Sequence, residues 1–214
     1  MSYIGKSFPN LDVKAIDYMG DTFALNILKE ARAKNQKVLL FWYPKDFTYV
    51  CPTELHAFQE ALEEFKKRNT LVIGASCDTA EVHFAWLNTA KDDGGIEGIT
   101  YPLIADSTRN LASVLGILDS IPTQIANDGI TTLLDGDHVS YRATYLIDEE
   151  GMVFHEGINH MPLGRNVQEY IRLVDAYSHF QHKGEVCPAN WEEGDKALNT
   201  NNKSVAEYLS ATIS

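Results

Sequence analysis

An unbroken apolar run, Val38-Leu-Leu-Phe-Trp-Tyr43, leads through a short loop into Cys51-Pro52 and an amphipathic helix, and this strand–loop–helix unit constrains the chain most. Branched and aromatic side chains in a run of that length favour a strand. Proline suits a first helical position, where its missing N–H costs nothing, so the sequence predicts Cys51 at the N-cap. Leu55, Phe58, Leu62 and Phe65 recur at spacings of three and four and form one apolar stripe. Lys66, Lys67 and Arg68 suit the negative end of the helix dipole, and Asn69 can close it, so a single helix is expected up to that point. A thiol at the opposite end meets unpaired N–H groups and positive dipole charge, which favour thiolate. The ordinary fate of a free cysteine is to be a small buried hydrophobe. Here the helix start, the preceding Pro44 and Thr48 and a second Cys-Pro at Cys187 instead mark Cys51 as a nucleophile.

Strand and helix patterns alternate along the rest of the chain, which points to an α/β fold. Leu11 to Phe23 reads as a hairpin around Met19-Gly-Asp21, followed by a short helix. Leu71 to Ala75 reads as a strand, Ala80 to Thr89 as a helix, Tyr101 to Ala105 as a strand and Thr108 to Leu115 as a helix. Tyr141 to Ile147 and Met152 to Gly157 form a second hairpin around Asp148-Glu-Glu-Gly151. A long helix follows from about Asn166 to Gln181, with Val167, Tyr170, Ile171 and Val174 on one face. From Gly184 the composition turns polar and reads as an extended arm with too few bulky apolar residues for a core of its own. The expected organisation is therefore one domain over residues 1–183 and a C-terminal arm over 184–214.

Three cysteines are too few, and odd in number, for a secreted disulfide framework. The first residues lack the basic start and apolar stretch of a secretory leader, and no apolar run is long enough to span a bilayer, so a cytoplasmic location is expected. A net charge of −12 argues against nucleic acid or an anionic membrane as partner. His155 and His160, and His179 and His182, lack a matching second ligand cluster, and no metal or other cofactor is expected.

Pro44-Lys-Asp-Phe-Thr48-Tyr-Val-Cys51-Pro-Thr-Glu54 resembles the active-site segment of the peroxiredoxins, with the Pro-x-x-x-Thr-x-x-Cys spacing intact. Gly184-Glu-Val-Cys187-Pro-Ala-Asn-Trp191 is similar to the resolving-cysteine segment of the typical two-cysteine subgroup, which includes the alkyl hydroperoxide reductase C and thioredoxin peroxidase proteins. Tyr141-Arg142 to Asp148 and Gly164-Arg165 to Glu169 fall between them in family order. The resemblance implies a thioredoxin-like fold with an N-terminal extension and the arm already described. It makes Cys51 the peroxidatic cysteine, which attacks a hydroperoxide and becomes a sulfenic acid, and Cys187 the resolving cysteine, normally from the partner subunit. It makes Thr48 the hydroxyl that hydrogen-bonds thiolate and peroxide, Arg142 the fixed cation beside the thiolate, and Pro44 the shield against water. Glu54 and Arg165 would form a supporting charge network. A homodimer is implied, with decamers common in the subgroup, and the disulfide would be recycled by a dithiol reductant, thioredoxin or a flavoprotein disulfide reductase. Cys77, which ends the Leu71 to Ala75 run and lacks the Pro and Thr that frame Cys51, reads as a core or edge cysteine.

The chain departs from the family pattern between Ser120 and His138, where Asp128-Gly129 and Asp135-Gly136 flank Ile130 to Leu134 and suggest a small added strand or hairpin. Gly94 to Gly98 and Tyr208-Leu209 resemble segments linked in the family to sulfinic over-oxidation. Two other functions compete with a thiol peroxidase. A thiol–disulfide oxidoreductase normally carries Cys-x-x-Cys, and Glu54 stands where its second cysteine would be. A non-enzymatic holdase would need no Cys51 at all.

Overall fold

The computed structural model describes residues 2–119 and 137–212, in two units, Met1–Arg165 and Asn166–Ser214. Seven strands of the first unit make one mixed sheet, ordered β2-β1-β5-β4-β3-β6-β7. They are β1 (Val13–Ile16), β2 (Thr22–Leu25), β3 (Lys37–Trp42), β4 (Thr70–Ser76), β5 (Leu103–Ala105), β6 (Arg142–Ile147) and β7 (Val153–Asn159). The central trio β3, β4 and β5 is parallel. The β6–β7 hairpin joins β3 antiparallel, and the β1–β2 hairpin joins β5 in the same way. Both predicted hairpins are therefore present.

Period-two alternation sends β3 side chains to two buried faces. Val38, Leu40 and Trp42 join Ile27 and Ala31 of α1 (Ile27–Lys34) and Leu111 and Leu115 of α5 (Asn110–Leu115) in one cluster. On the other face Phe41 stacks on Phe58 of α2 (Cys51–Glu60) at 4.1 Å, and Tyr43 lies 6.0 Å from Trp86 of α4 (Ala80–Leu87). With both faces covered, the strand tolerates no polar residue between Val38 and Tyr43.

The single helix expected after Cys51 is two helices. α2 ends at Glu60, Ala61 turns at φ −86° and ψ 0°, and α3 runs over Leu62–Lys67. The break keeps the helical phase, so Leu55, Phe58, Leu62 and Phe65 all remain buried. Asn69 closes α3 at a φ of +51°. Cys51 is the first helical residue and not the N-cap. Val50 holds that place with helical dihedrals and no side-chain hydrogen bond, which shifts the start by one residue.

In the second unit α6 (Val167–Lys183) is capped by the Asn166 side chain and stopped by Gly184 at a φ of +69°. Its predicted face of Val167, Tyr170, Ile171 and Val174 is buried. The residues beyond Gly184 are not simply extended. Val186 and Leu198 form an antiparallel bridge, Trp191 between them is only 2% exposed, and α7 occupies Asn202–Thr212. Asn201 starts that helix by accepting from the Ser204 N–H at 2.9 Å. The strand or hairpin expected at Ile130 to Leu134, and most of the Ser120–His138 segment around it, lie outside the described residues.

Candidate active site

The β3 strand delivers Tyr43 to the end of the sheet, and the loop 44–50 returns the chain to the start of α2. Cys51 sits at that start with no exposed surface. Glu54, three residues on, lies on the same helix face and is 3% exposed. β6 lies beside β3 and begins at Arg142, which brings a guanidinium to the same spot.

Arg142 Nη1 lies 3.4 Å from Cys51 Sγ and 2.6 Å from Glu54 Oε2, while its Nε donates to the Met161 carbonyl at 2.6 Å. Arg165 grips the same carboxylate through Nε to Oε1 and Nη2 to Oε2, both 2.9 Å, and through its backbone N–H at 3.0 Å. Arg165 is itself fixed by the Ala143 carbonyl at 3.0 Å and lies over the Phe41 and Phe58 rings. Two guanidiniums share one carboxylate in a buried site, so one positive charge is left over. The Cys51 sulfur lies beside the guanidinium that carries it.

An open cavity of about 400 Å³ adjoins the thiol, lined among others by Pro44, Thr48, Tyr49, Arg142, Met161 and Pro162. Pro44 and Thr48 are thus brought to Cys51 as the spacing predicts. The Thr48 hydroxyl donates to the Lys45 carbonyl at 2.8 Å, which leaves its oxygen lone pairs for an incoming O–H donor.

The other two thiols differ. Cys77, just beyond β4, is 7% exposed; burial and the nearby Asp106 charge, against Arg109, push its thiol up to about 12. That is the inert core cysteine the sequence suggests. Cys187 in the second unit is half-buried, with Sγ 3.6 Å from the Ala176 carbonyl. Burial raises its thiol above the ordinary range, Arg172 pulls it down and Glu185 pushes it up.

Sequence reasoning missed a buried histidine–carboxyl contact beside this loop, His83 Nδ1 to Asp46 Oδ2 at 2.7 Å. One signal was available: His83 falls three and four residues before Trp86 and Leu87, on the buried face of α4.

Residues 4–156 match the AhpC/TSA family, and residues 179–211 match the C-terminal domain of 1-Cys peroxiredoxin, a segment that contains Cys187. The chain is 41% identical over 182 residues to alkyl hydroperoxide reductase C of Helicobacter pylori, covering 85% of this chain and 83% of that one. It is 38% identical over 209 residues to peroxiredoxin-1 of Gekko japonicus, covering 98% and 96%. The reduced 2-Cys peroxiredoxin of Plasmodium vivax superimposes with a TM-score of 0.85 at 35% identity, over 98% of this chain and all of that one. The mixed sheet and its helices thus have the thioredoxin-like arrangement of these proteins.

Proposed function

Since the chain belongs to the AhpC/TSA family of peroxiredoxins and is a thiol-dependent peroxidase that reduces hydroperoxides, we propose that Cys51 is its peroxidatic cysteine and Cys187 its resolving cysteine. The Cys51 thiolate attacks the terminal peroxide oxygen, the O–O bond breaks, and water or an alcohol leaves with a proton. The sulfenic acid formed on Cys51 then condenses with the Cys187 thiol of a partner subunit, with loss of one water, to give a disulfide. An external dithiol, thioredoxin or a flavoprotein disulfide reductase, returns both thiols. Hydrogen peroxide and small organic hydroperoxides are the substrates, in a cytoplasmic homodimer able to assemble into decamers. Residues 184–214 serve as the arm that presents Cys187.

One observation carries the residue assignment: the Arg142 guanidinium lies 3.4 Å from the Cys51 sulfur and is held there by Glu54. It favours the anionic nucleophile and polarises the leaving oxygen as charge develops there. Pro44 limits water access and Thr48 orients the peroxide through its hydroxyl. Glu54 and Arg165 fix Arg142.

The test is to treat reduced protein with one equivalent of hydrogen peroxide and follow it on a non-reducing gel beside Cys51→Ser and Cys187→Ser. A rapid shift from monomer to dimer, lost in either variant, is expected. Thiol consumption without any dimer would overturn the inter-subunit assignment, and unreactive thiols would overturn Cys51.

A further inference from the structure

Asp46 and His83 are both without exposed side-chain surface and lie 2.7 Å apart. His83 Nε2 stands 3.1 Å from the Ile104 carbonyl, which can only accept, so Nε2 carries a proton. The 2.7 Å contact on the other side needs a proton too, because lone pairs do not face each other at that distance in a dry site. The pair therefore holds one proton more than a neutral ring and a carboxylate would. Asp46 Oδ1 has no hydrogen-bond partner among the described residues, and the carboxylate is compensated first by His83 and, more weakly, by the Tyr43 hydroxyl.

The groups facing the pair add negative charge or none. From the end of β3, the Tyr43 hydroxyl lies 3.4 Å from His83 Nδ1, with Tyr101 beyond it. From the end of β4, Asp78 accepts from the Asp46 N–H at 2.9 Å and from Ser76 Oγ at 2.8 Å. Burial drives His83 toward the neutral ring, but the Asp46 hydrogen bond and charge, the Ile104 carbonyl and Asp78 outweigh it, so the ring holds its proton above the ordinary range. Burial raises Asp46 as well.

The residue after Asp46 shows what the pair restrains. Phe47 has a φ of +53°, a left-handed conformation that bulky side chains avoid. The residue is 54% exposed and its ring rests 5.7 Å from Trp86 of α4, the helix that carries His83. Thr48 of the pocket follows at once. A strained turn persists only where its surroundings over-determine it, and Asp46 is its buried anchor.

We propose that Asp46 and His83 are positioning residues for peroxide reduction, their shared proton pinning the strained Phe47 turn so that Pro44 and Thr48 keep the Cys51 pocket in shape. Loss of that proton at alkaline pH sets two buried acceptors against each other, frees the turn and slows the reaction. The inference rests on Cys51 being the thiol that meets peroxide.

The test uses the reduced full-length protein labelled with ¹⁵N-histidine. The His83 ring nitrogens are followed from about pH 6 to about pH 10, alongside the stopped-flow rate with hydrogen peroxide. The expected result is an imidazolium ring at neutral pH and a rate that falls in step with its titration. His83→Gln should be slower by about tenfold or more at neutral pH and lose the alkaline limb. Adding Phe47→Gly, which adopts the positive φ without strain, should restore most of that rate. A wild-type rate that holds steady while His83 loses its proton overturns the proposal, as does a neutral ring at neutral pH, and neither result needs a variant to fold. A wild type whose Cys51 ignores peroxide overturns the nucleophile assignment, which the other two outcomes leave intact.

Discussion

Glu54 and Arg165 are joined by two side-chain hydrogen bonds of 2.9 Å and a backbone one of 3.0 Å, and the same carboxylate takes Arg142 at 2.6 Å. Glu54 is thus the counter-charge of both guanidiniums. Glu54→Gln keeps the shape but leaves two buried cations without it, a situation that typically costs about 3–5 kcal/mol. Denaturant unfolding should show a loss of that order, and the peroxide rate should drop with it. A loss below about 1 kcal/mol would mean that the carboxylate does not compensate the pair.

Arg142→Lys tests geometry rather than charge. The guanidinium reaches the sulfur, Glu54 and the Met161 carbonyl at once, and an ammonium has no planar fork with which to do so. Losing one well-placed electrostatic contact of this kind typically costs about 10²-fold to 10³-fold in rate. Stopped-flow fluorescence should show a fall of that order with the circular dichroism spectrum retained. A lysine variant within about threefold of wild type would show that charge alone suffices.

The grouping of the candidate site around Cys51 was legible because its residues sit at short local spacings. Pro44, Thr48, Cys51 and Glu54 span eleven residues, and strand and helix periods placed them at one junction. The break at Ala61 was not legible, because the apolar stripe from Leu55 to Phe65 continues in phase across it and buries the same face. The start of α2 was misread by one residue because Val50 offers no capping side chain to mark it. Non-local charge pairs escape a sequence reading altogether. Lys37 opens β3 and looks like a solvated strand end, yet its side chain is 6% exposed and meets Glu149, 112 residues away, at 2.6 Å. Asp46 and His83 are likewise 37 residues apart and meet only through the packing of α4 against the sheet. The helix at Asn202–Thr212 was overlooked because its apolar stripe, Val205, Tyr208 and Leu209, is short and set in the polar stretch beyond Gly184, and its start is set by the Asn201 cap.

Cys77 should be silent in the chemistry and visible in the stability. With its thiol pushed up to about 12, only roughly one molecule in ten thousand carries the thiolate at pH 8. Alkylation there should mark Cys187 well before Cys77, as peptide mass spectrometry would read out. The unfolded thiol titrates near about 8.5, so above that pH the unfolded chain gives up the proton first. Stability is then lost as pH rises, by up to about 1.4 kcal/mol per unit from this group. Cys77→Ala should flatten that part of the alkaline decline while keeping the peroxide rate within about twofold. An alkaline decline identical in both proteins would show that Cys77 does not supply it.

Thr48 separates catalysis from stability most cleanly. Its hydroxyl donates to the Lys45 carbonyl at 2.8 Å, in an exposed loop where water can replace it. Thr48→Val therefore forfeits about 1 kcal/mol at most. Yet Thr48 lines the cavity beside Cys51, where the other hydroxyl-bearing lining residue is Tyr49, which is 95% exposed. With Thr48 orienting the peroxide as proposed, the rate should fall about a hundredfold in the valine variant. Thr48→Ser keeps the oxygen and should stay within about fivefold of wild type. Equal rates in the two variants would assign the loop's contribution to shape alone and remove the hydroxyl from the reaction.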